Sequence, residues 1–400
     1  MPTLNPDILR WARSTAGLSL EEAAHAIELN PAHGVSGPER LAALEAGKEE
    51  PSRPLLLRMA KAYRRSLLVF YLEKEPKTGD RGKDFRRLPS GAAPQYNPVL
   101  DALIRDIRGR QSLIKSLLED AEVGDLTFIG SAKQETPVAE LAARITKQLQ
   151  FDLSAFREQK TIEEAFAYLR QRTEVSRIFV LLLGNLGSHH TNISVETFRG
   201  FALADKIAPL AVINDNDAVS AWSFTTLHEV AHLWLGDTGV SGWAGGLPIE
   251  QYCSDVASEI LLPPKDLAEF ARIATATFDQ TAEQVSRFAD RRNISRAMVA
   301  YRLFRTGSID EKVWGALRDR FYKEWVAHSE REVLKQKARE GGPSYYVVRR
   351  HRIGKALLNL VSRSIGEGLL SYTKAARLLG VKARNVDPLL SGGASSRGGE

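Results

Sequence analysis

Apolar positions recur at helical spacing through residues 6–72, and the segment predicts a string of short helices. In "NPDILRWARSTAGLSLEEAAHAIELN" the pattern breaks at Gly17 and restarts at Ser19; Ser19 with Glu22 three residues on fits a capping box. Further along, Gly47 ends one helix and Pro54 opens another. Residues 73–98, "EKEPKTGDRGKDFRRLPSGAAPQYNP", carry Pro, Gly and charge in place of a period, which predicts a linker or a surface strap. A helical period resumes over 99–122.

The central region alternates. Helices are expected at about 136–149 and 161–173, followed by an apolar strand in "SRIFVLLLG". Two more strands are expected in "FRGFALAD" and "APLAVIND", and then a helix containing "TTLHEVAHLWLG". Such alternation predicts a small α/β or α+β domain. After Pro263-Pro264 the pattern is helical to about residue 388, and "VSRFADRRNISRAMVAYRLFRTGSI" and "LLSYTKAARLLGVKARNVDPLL" look like further helix-turn-helix units. The last ten residues, "SGGASSRGGE", predict a disordered Gly/Ser tail.

The length of 400 residues fits two or three domains, and 43% hydrophobic with 26% charged residues is ordinary for a soluble globular protein. No apolar run approaches the ~18 residues of a membrane span. The opening "MPTLNPDILRWARS" lacks the basic and apolar regions of a secretory signal. Cys253 is the sole cysteine, which excludes an internal disulfide. A cytoplasmic protein with no membrane attachment is therefore expected. Net charge is uneven: residues 281–400 hold 24 Lys/Arg against 12 Asp/Glu, while residues 1–280 hold 31 against 37. The basic C-terminal third suggests either an acidic partner such as nucleic acid or a solvated helical surface.

The stretch "TTLHEVAHLWLG" carries the candidate chemistry. A helix turns ~100° per residue, so His228 and His232 point the same way from adjacent turns and can bind one metal ion. Glu229 faces the edge of the same site, where it cannot easily ligate that ion but can reach a water bound to it. This is the logic of H-E-x-x-H: two ligands and one general base. Phe224, Leu227, Ala231 and Trp234 form an apolar stripe that would bury the helix, and a buried helix with two histidines on one face needs a compensating partner. A catalytic zinc usually takes three protein ligands. The downstream helix "LPIEQYCSDVASEILLPP" offers Glu250, Asp255 and Glu259; Glu250, one turn before Ser254, is the first choice and Glu259 the second.

Residues 198–236, "FRGFALADKIAPLAVINDNDAVSAWSFTTLHEVAHLWLG", followed by "IEQYCSDVASEILLPP", closely resemble the ImmA/IrrE family of zinc-dependent metallopeptidases. That family shows a strand ending in Ile-Asn, then Phe-Thr-x-x-His-Glu-x-x-His, then a helix like Glu-x-x-Ala-Asn-x-Phe-Ala-x-x-Leu-Leu-x-Pro. The resemblance covers roughly residues 125–270. It implies His228, His232 and Glu250 as zinc ligands and Glu229 as catalytic base; Cys253 and Ser254 stand where the family has Ala and Asn. It also implies a protein substrate, a cognate Xre-type repressor whose cutting derepresses genes.

Residues 8–63 resemble the helix-turn-helix of the Xre (Cro/CI-like) repressor class, in "LRWARSTAGLSLEEAAHAIEL" and "LAALEAGKEEPSRPLLLRMAKAY". The connection "NPAHGVSGPE" is longer than the usual turn. The recognition helix, about 38–46, offers one arginine to base edges, so DNA contacts would fall to Arg40, Lys48 and Arg53. Dimerisation or partner docking is the other use of such a domain, and a homodimer is compatible with it.

Two smaller features have two readings each. His189-His190, in a Gly-rich loop, are either an exposed pair or a donor reaching the cleft. Tyr345, Tyr346, Arg349, Arg350, His351 and Arg352 are either a stacking platform for single-stranded nucleic acid or a helix start with a charged outer face.

The expected organisation is a mainly α multidomain chain around an α+β zincin-like core. An all-α helix-turn-helix domain spans 1–76, a linker and connecting helix 77–124, the metallopeptidase domain 125–275, a basic helical domain 276–390, and a tail 391–400. The expected function is a Zn²⁺-dependent metalloendopeptidase cutting a specific protein, with DNA contacted through the N-terminal domain or the basic C-terminal region. The alternative is a DNA-binding regulator or antitoxin-like protein in which the peptidase fold is a sensor or scaffold.

Overall fold

A computed structural model describes residues 4–76, 83–84, 97–241, 247–270, 277–338 and 344–392. The chain divides into two compact units, Met1–Arg81 with Gln95–Asp106, and Gly82–Pro94 with Ile107–Glu400. Both are mainly helical, and the described sheet belongs to the second.

In the first unit, α1 (Pro6–Thr15), α2 (Leu20–Ala26), α3 (Gly37–Glu45) and α4 (Arg53–Ala62) enclose a core that includes Ile8, Ile27, Leu41 and Met59. Local capping starts each helix. Ser19 with Glu22 and Ser36 with Glu39 form reciprocal capping boxes, and the side chains of Asn5 and Ser52 cap α1 and α4. The long α2–α3 connection is held by a bridge between Ala32 and Val35. Glu45, at the end of α3, is buried and accepts two hydrogen bonds from Arg13, at 2.7 and 3.0 Å. It is therefore an internal strut.

Helix α5 (Pro98–Asp120) belongs to the first unit up to Asp106 and to the second from Ile107. The second unit continues with α6 (Val138–Leu149), α7 (Leu153–Arg157), α8 (Ile162–Val175), α9 (Val219–Leu235) and α10 (Pro248–Leu261). Its sheet has the order β1-β5-β3-β4-β2, from β1 (Lys83–Asp84), β2 (Phe179–Leu182), β3 (Gly200–Leu203), β4 (Leu210–Ile213) and β5 (Gly239–Ser241). β2 runs parallel to β4, whereas β3 runs antiparallel to both β4 and β5. Every residue of β2, β3 and β4 is buried, which is why these strands read as continuous apolar runs without alternation.

Helix α9 is buried on all sides because it is central: it packs on β3 and β4, and also on α8 and α10. It ends at Gly236, whose φ of 70° is the left-handed cap conformation, and a Cβ there would come within 3.0 Å of the Gly130 Cα.

Beyond α10 come α11 (Phe278–Asp290), α12 (Arg296–Arg305), α13 (Glu311–Ala338), α14 (Tyr345–Ile353), α15 (Lys355–Gly366), α16 (Tyr372–Leu379) and α17 (Val386–Leu390). The domain break expected at 275–276 does not separate two cores. Val285, Phe288, Leu303 and Leu317 share one hydrophobic cluster with Ile145, Val230 and Val256. The reason is that α11 and α12 are amphipathic, and α12 buries its apolar face against α10.

The basic cluster of α14 is partly engaged within the fold, while Tyr345 and His351 are exposed. Arg349 donates to the Gly380 carbonyl, Arg350 to the Leu390 carbonyl at 2.9 Å, and Arg352 pairs with Asp215 at 2.6 Å. These three arginines tie α14 to the neighbouring chain. Of the expected tail, residues 393–400 lie outside the described residues, as does most of the expected linker (77–82 and 85–96). Among the described residues no helix is long and apolar enough to cross a membrane.

Candidate metal centre

His228 and His232 lie four residues apart on α9, and Glu250 lies in the first turn of α10. Because α10 packs along α9, the glutamate meets the imidazoles. The Nε2 atoms of His228 and His232 are 3.2 Å apart; Glu250 Oε1 is 2.9 Å from the second and Oε2 is 3.3 Å from the first. All three residues are buried, at 6%, 1% and 3% exposure, in a protein interior that ordinarily rejects such groups.

The donor set fits a divalent cation. Ligand atoms each ~2.0–2.1 Å from a shared tetrahedral ion stand about 3.3–3.4 Å from one another, close to the separations found here. Two imidazole nitrogens and a carboxylate turned toward one point also present lone pairs that a proton can satisfy only in part. The Ser254 hydroxyl lies 3.2 Å from His228 Nδ1, on the far side of the ring. An N–H donated from Nδ1 to that oxygen leaves Nε2 bare and facing the centre.

The electrostatics point the same way. Burial drives His228 toward the neutral form, but the Glu250 carboxylate, with Glu229 behind it, outweighs burial and raises its pKa. At His232 burial prevails and the pKa falls, although Glu250 opposes it. Burial pushes the Glu250 carboxyl up, but His228 and then His232 hold it down at about 2. The cluster thus keeps an anionic carboxylate in the interior and attracts positive charge.

Glu229 is fully buried beside the first histidine, in space left by Gly200 of β3. His228, Glu229, Thr225 and Ser254 form part of the wall of a cavity of about 200 Å³. Its remaining wall comes from Arg199 and Asp217, the first turns of α9, the start of α12, and one side of α13.

The runner-up ligands on α10 are used elsewhere. Asp255 pairs with Arg305 at 2.7 Å and accepts from the Tyr301 hydroxyl at 2.8 Å; Glu259 pairs with Arg302. Helical geometry explains the division. Nine residues at ~100° each place Glu259 about 180° around the axis from Glu250, while Ser254 stays near the glutamate's face. Cys253 is buried, and burial pushes its thiol pKa up, which suits packing. His190 is exposed in the loop after β2.

Arg40 donates to the Asn30 carbonyl at 2.6 Å, closing the α2–α3 connection, while Lys48 and Arg53 are exposed beyond α3 and at the start of α4. Sequence reasoning missed three parts of the site: Gly200, the Arg199–Asp217 pair and the aromatic side of α13. The pattern of α13 gives no hint of what that side faces. No protein-family model, curated protein or solved structure matches the chain.

Proposed function

We propose that the second unit is a zinc metalloendopeptidase that cuts a specific protein. The observation that carries this reading is the buried convergence of His228, His232 and Glu250, with Glu229 next to the first ligand and a cavity opening beside it. Zinc held there would acidify water and polarise a substrate carbonyl. Glu229, enclosed by β3 and α9, is placed to take a proton during attack and return it to the leaving amine. Ser254 holds the His228 ring in register. A histidine-bearing helix packed on a small mixed sheet, with a second helix supplying the glutamate, agrees with a zincin-like core and with the resemblance to the ImmA/IrrE family.

The substrate we propose is an Xre-type repressor, met in the cytoplasm near DNA through an Xre-like first unit. Four capped short helices support that assignment. The engagement of Arg40 with Asn30 favours docking or dimerisation by this unit over base reading. The alternative, a regulator with a scaffold-like peptidase fold, leaves the buried Glu229 without a use.

The test incubates the purified full-length chain, with and without zinc, with Xre-type repressors, first among them any encoded beside it. Cutting should need zinc and should stop in a Glu229→Gln variant that still binds one equivalent of metal. A repressor left whole under every condition, added DNA included, would refute the proposal.

A further inference from the structure

We infer that the cavity beside His228 and Glu229 is a specificity subsite for a large neutral side chain, aromatic or long aliphatic, next to the peptide bond being cut. The assignment rests on the peptidase reading. It adds a substrate class to it.

The first argument is position. The cavity shares His228 and Glu229 with the metal centre, so a peptide carbonyl at that centre carries its neighbouring side chain to the cavity mouth. The second is composition. Trp314, Phe321 and Trp325 enter from one side of α13, spaced seven and four residues apart, and Met298 and Tyr301 enter from α12. Phe224 of α9 faces them. A volume of about 200 Å³ has room for an aromatic ring.

The third argument is charge, and it separates a neutral occupant from an acidic one. Three arginines also line the cavity, and each has a carboxylate. Arg199 pairs with Asp217 at 2.8 Å, Arg296 with Glu324 at 2.6 Å, and Arg318 with Asp319 at 3.0 Å. Arg296 also lies over the Phe321 ring and Arg318 over Trp314, at 4.8 and 5.4 Å. Each guanidinium charge is already balanced, so an incoming carboxylate gains little net attraction against its lost hydration, and an incoming lysine would meet three guanidinium groups. A neutral apolar side chain loses no such hydration and gains its full burial.

Two measurements on the full-length protein test this. In the first, zinc-supplemented protein digests a mixed peptide library and the cut positions are read by mass spectrometry. In the second, binding of N-acetyl amides of phenylalanine, alanine and aspartate to metal-free protein is followed by NMR saturation transfer. We expect cuts flanked by Phe, Tyr, Trp, Leu or Met over Ala or Asp by about tenfold to a hundredfold, and the same order among the amides. Ala297 is exposed and lines the cavity, so Ala297→Trp should fill it and lower both preference ratios at least tenfold. Cutting with no preference for bulky neutral residues, or three amides that bind alike, would overturn the subsite. A clear preference among the amides with no cutting of any peptide would sink the peptidase reading and leave the cavity's selectivity standing.

Discussion

Glu229 occupies space that Gly200 leaves: a Cβ at residue 200 would stand 2.5 Å from Glu229 Oε1 and 2.9 Å from Thr225 Cγ2. Gly200 pairs in register with Ile213 on one side and Ser241 on the other, so its strand has little freedom to retreat. Gly200→Ala should therefore displace the Glu229 carboxylate without touching a metal ligand. A shift of that size at a general base lowers turnover by about tenfold to a hundredfold. Bound zinc should remain at one equivalent. Steady-state kinetics beside elemental analysis reads both, and unchanged turnover would remove Glu229 from the proton-transfer role.

Three ligands buried in one place make stability depend on metal. A cation at a hundredfold excess over its Kd, bound only by the folded chain, adds about 2.7 kcal/mol. Zinc should raise the Tm of the full-length protein by several degrees, and a chelator should reverse it. Glu250→Ala should abolish the zinc response, because it takes from the centre the one carboxylate that the two imidazoles hold at a pKa of about 2. Scanning calorimetry with and without zinc measures it; a zinc response that persists in Glu250→Ala would mean the ion binds elsewhere.

Ser254 would act on a bound metal through His228. Ser254→Ala removes the oxygen 3.2 Å from Nδ1 and frees the ring to rotate or change tautomer. Loss of such a support costs about tenfold to a hundredfold in metal affinity. Competition titration against a zinc chromophore should show that loss with the folded state intact by circular dichroism. Equal affinity would mean the helix backbone alone orients the imidazole.

Much of this architecture is legible in the sequence, and the parts that are not share a cause. The helices expected at 136–149 and 161–173 are Val138–Leu149 and Ile162–Val175, because periodic apolar faces and polar starts are local signals. The strands in "FVLL", "GFAL" and "LAVI" stand out as apolar runs because both sheet faces are covered. The five-residue α7 and three-residue β5 are too short to carry a period. His228 and His232 are readable from their spacing, but the cavity is not. Trp314 and Trp325 lie more than eighty residues from Glu229 in sequence, and only the packing of α12 and α13 brings them to it. The third ligand is an intermediate case. Glu250, Asp255 and Glu259 share one helix; sequence position and the family resemblance put Glu250 first, but the pairing of Asp255 and Glu259 with arginines of α12 is visible only once the helices pack.

Those partners give the sharpest separation between a ligand and a strut. Glu259 neutralises the buried Arg302, which also donates to the Leu262 carbonyl, so the pair ties α10 to α12. Glu259→Gln would leave a guanidinium in the interior with a weaker acceptor, at a cost of about 1–3 kcal/mol. The variant should melt several degrees lower in both the presence and the absence of zinc, while its zinc stoichiometry and the size of its zinc-induced shift stay as in the parent protein. Glu250→Gln should differ in its zinc response: it removes the carboxylate that the imidazoles hold in its charged form, so the metal-free protein also melts lower, and zinc no longer stabilises it. Melting curves of the two variants with and without zinc form a four-way comparison, and a lost zinc response in Glu259→Gln would move the third ligand to the opposite face of α10.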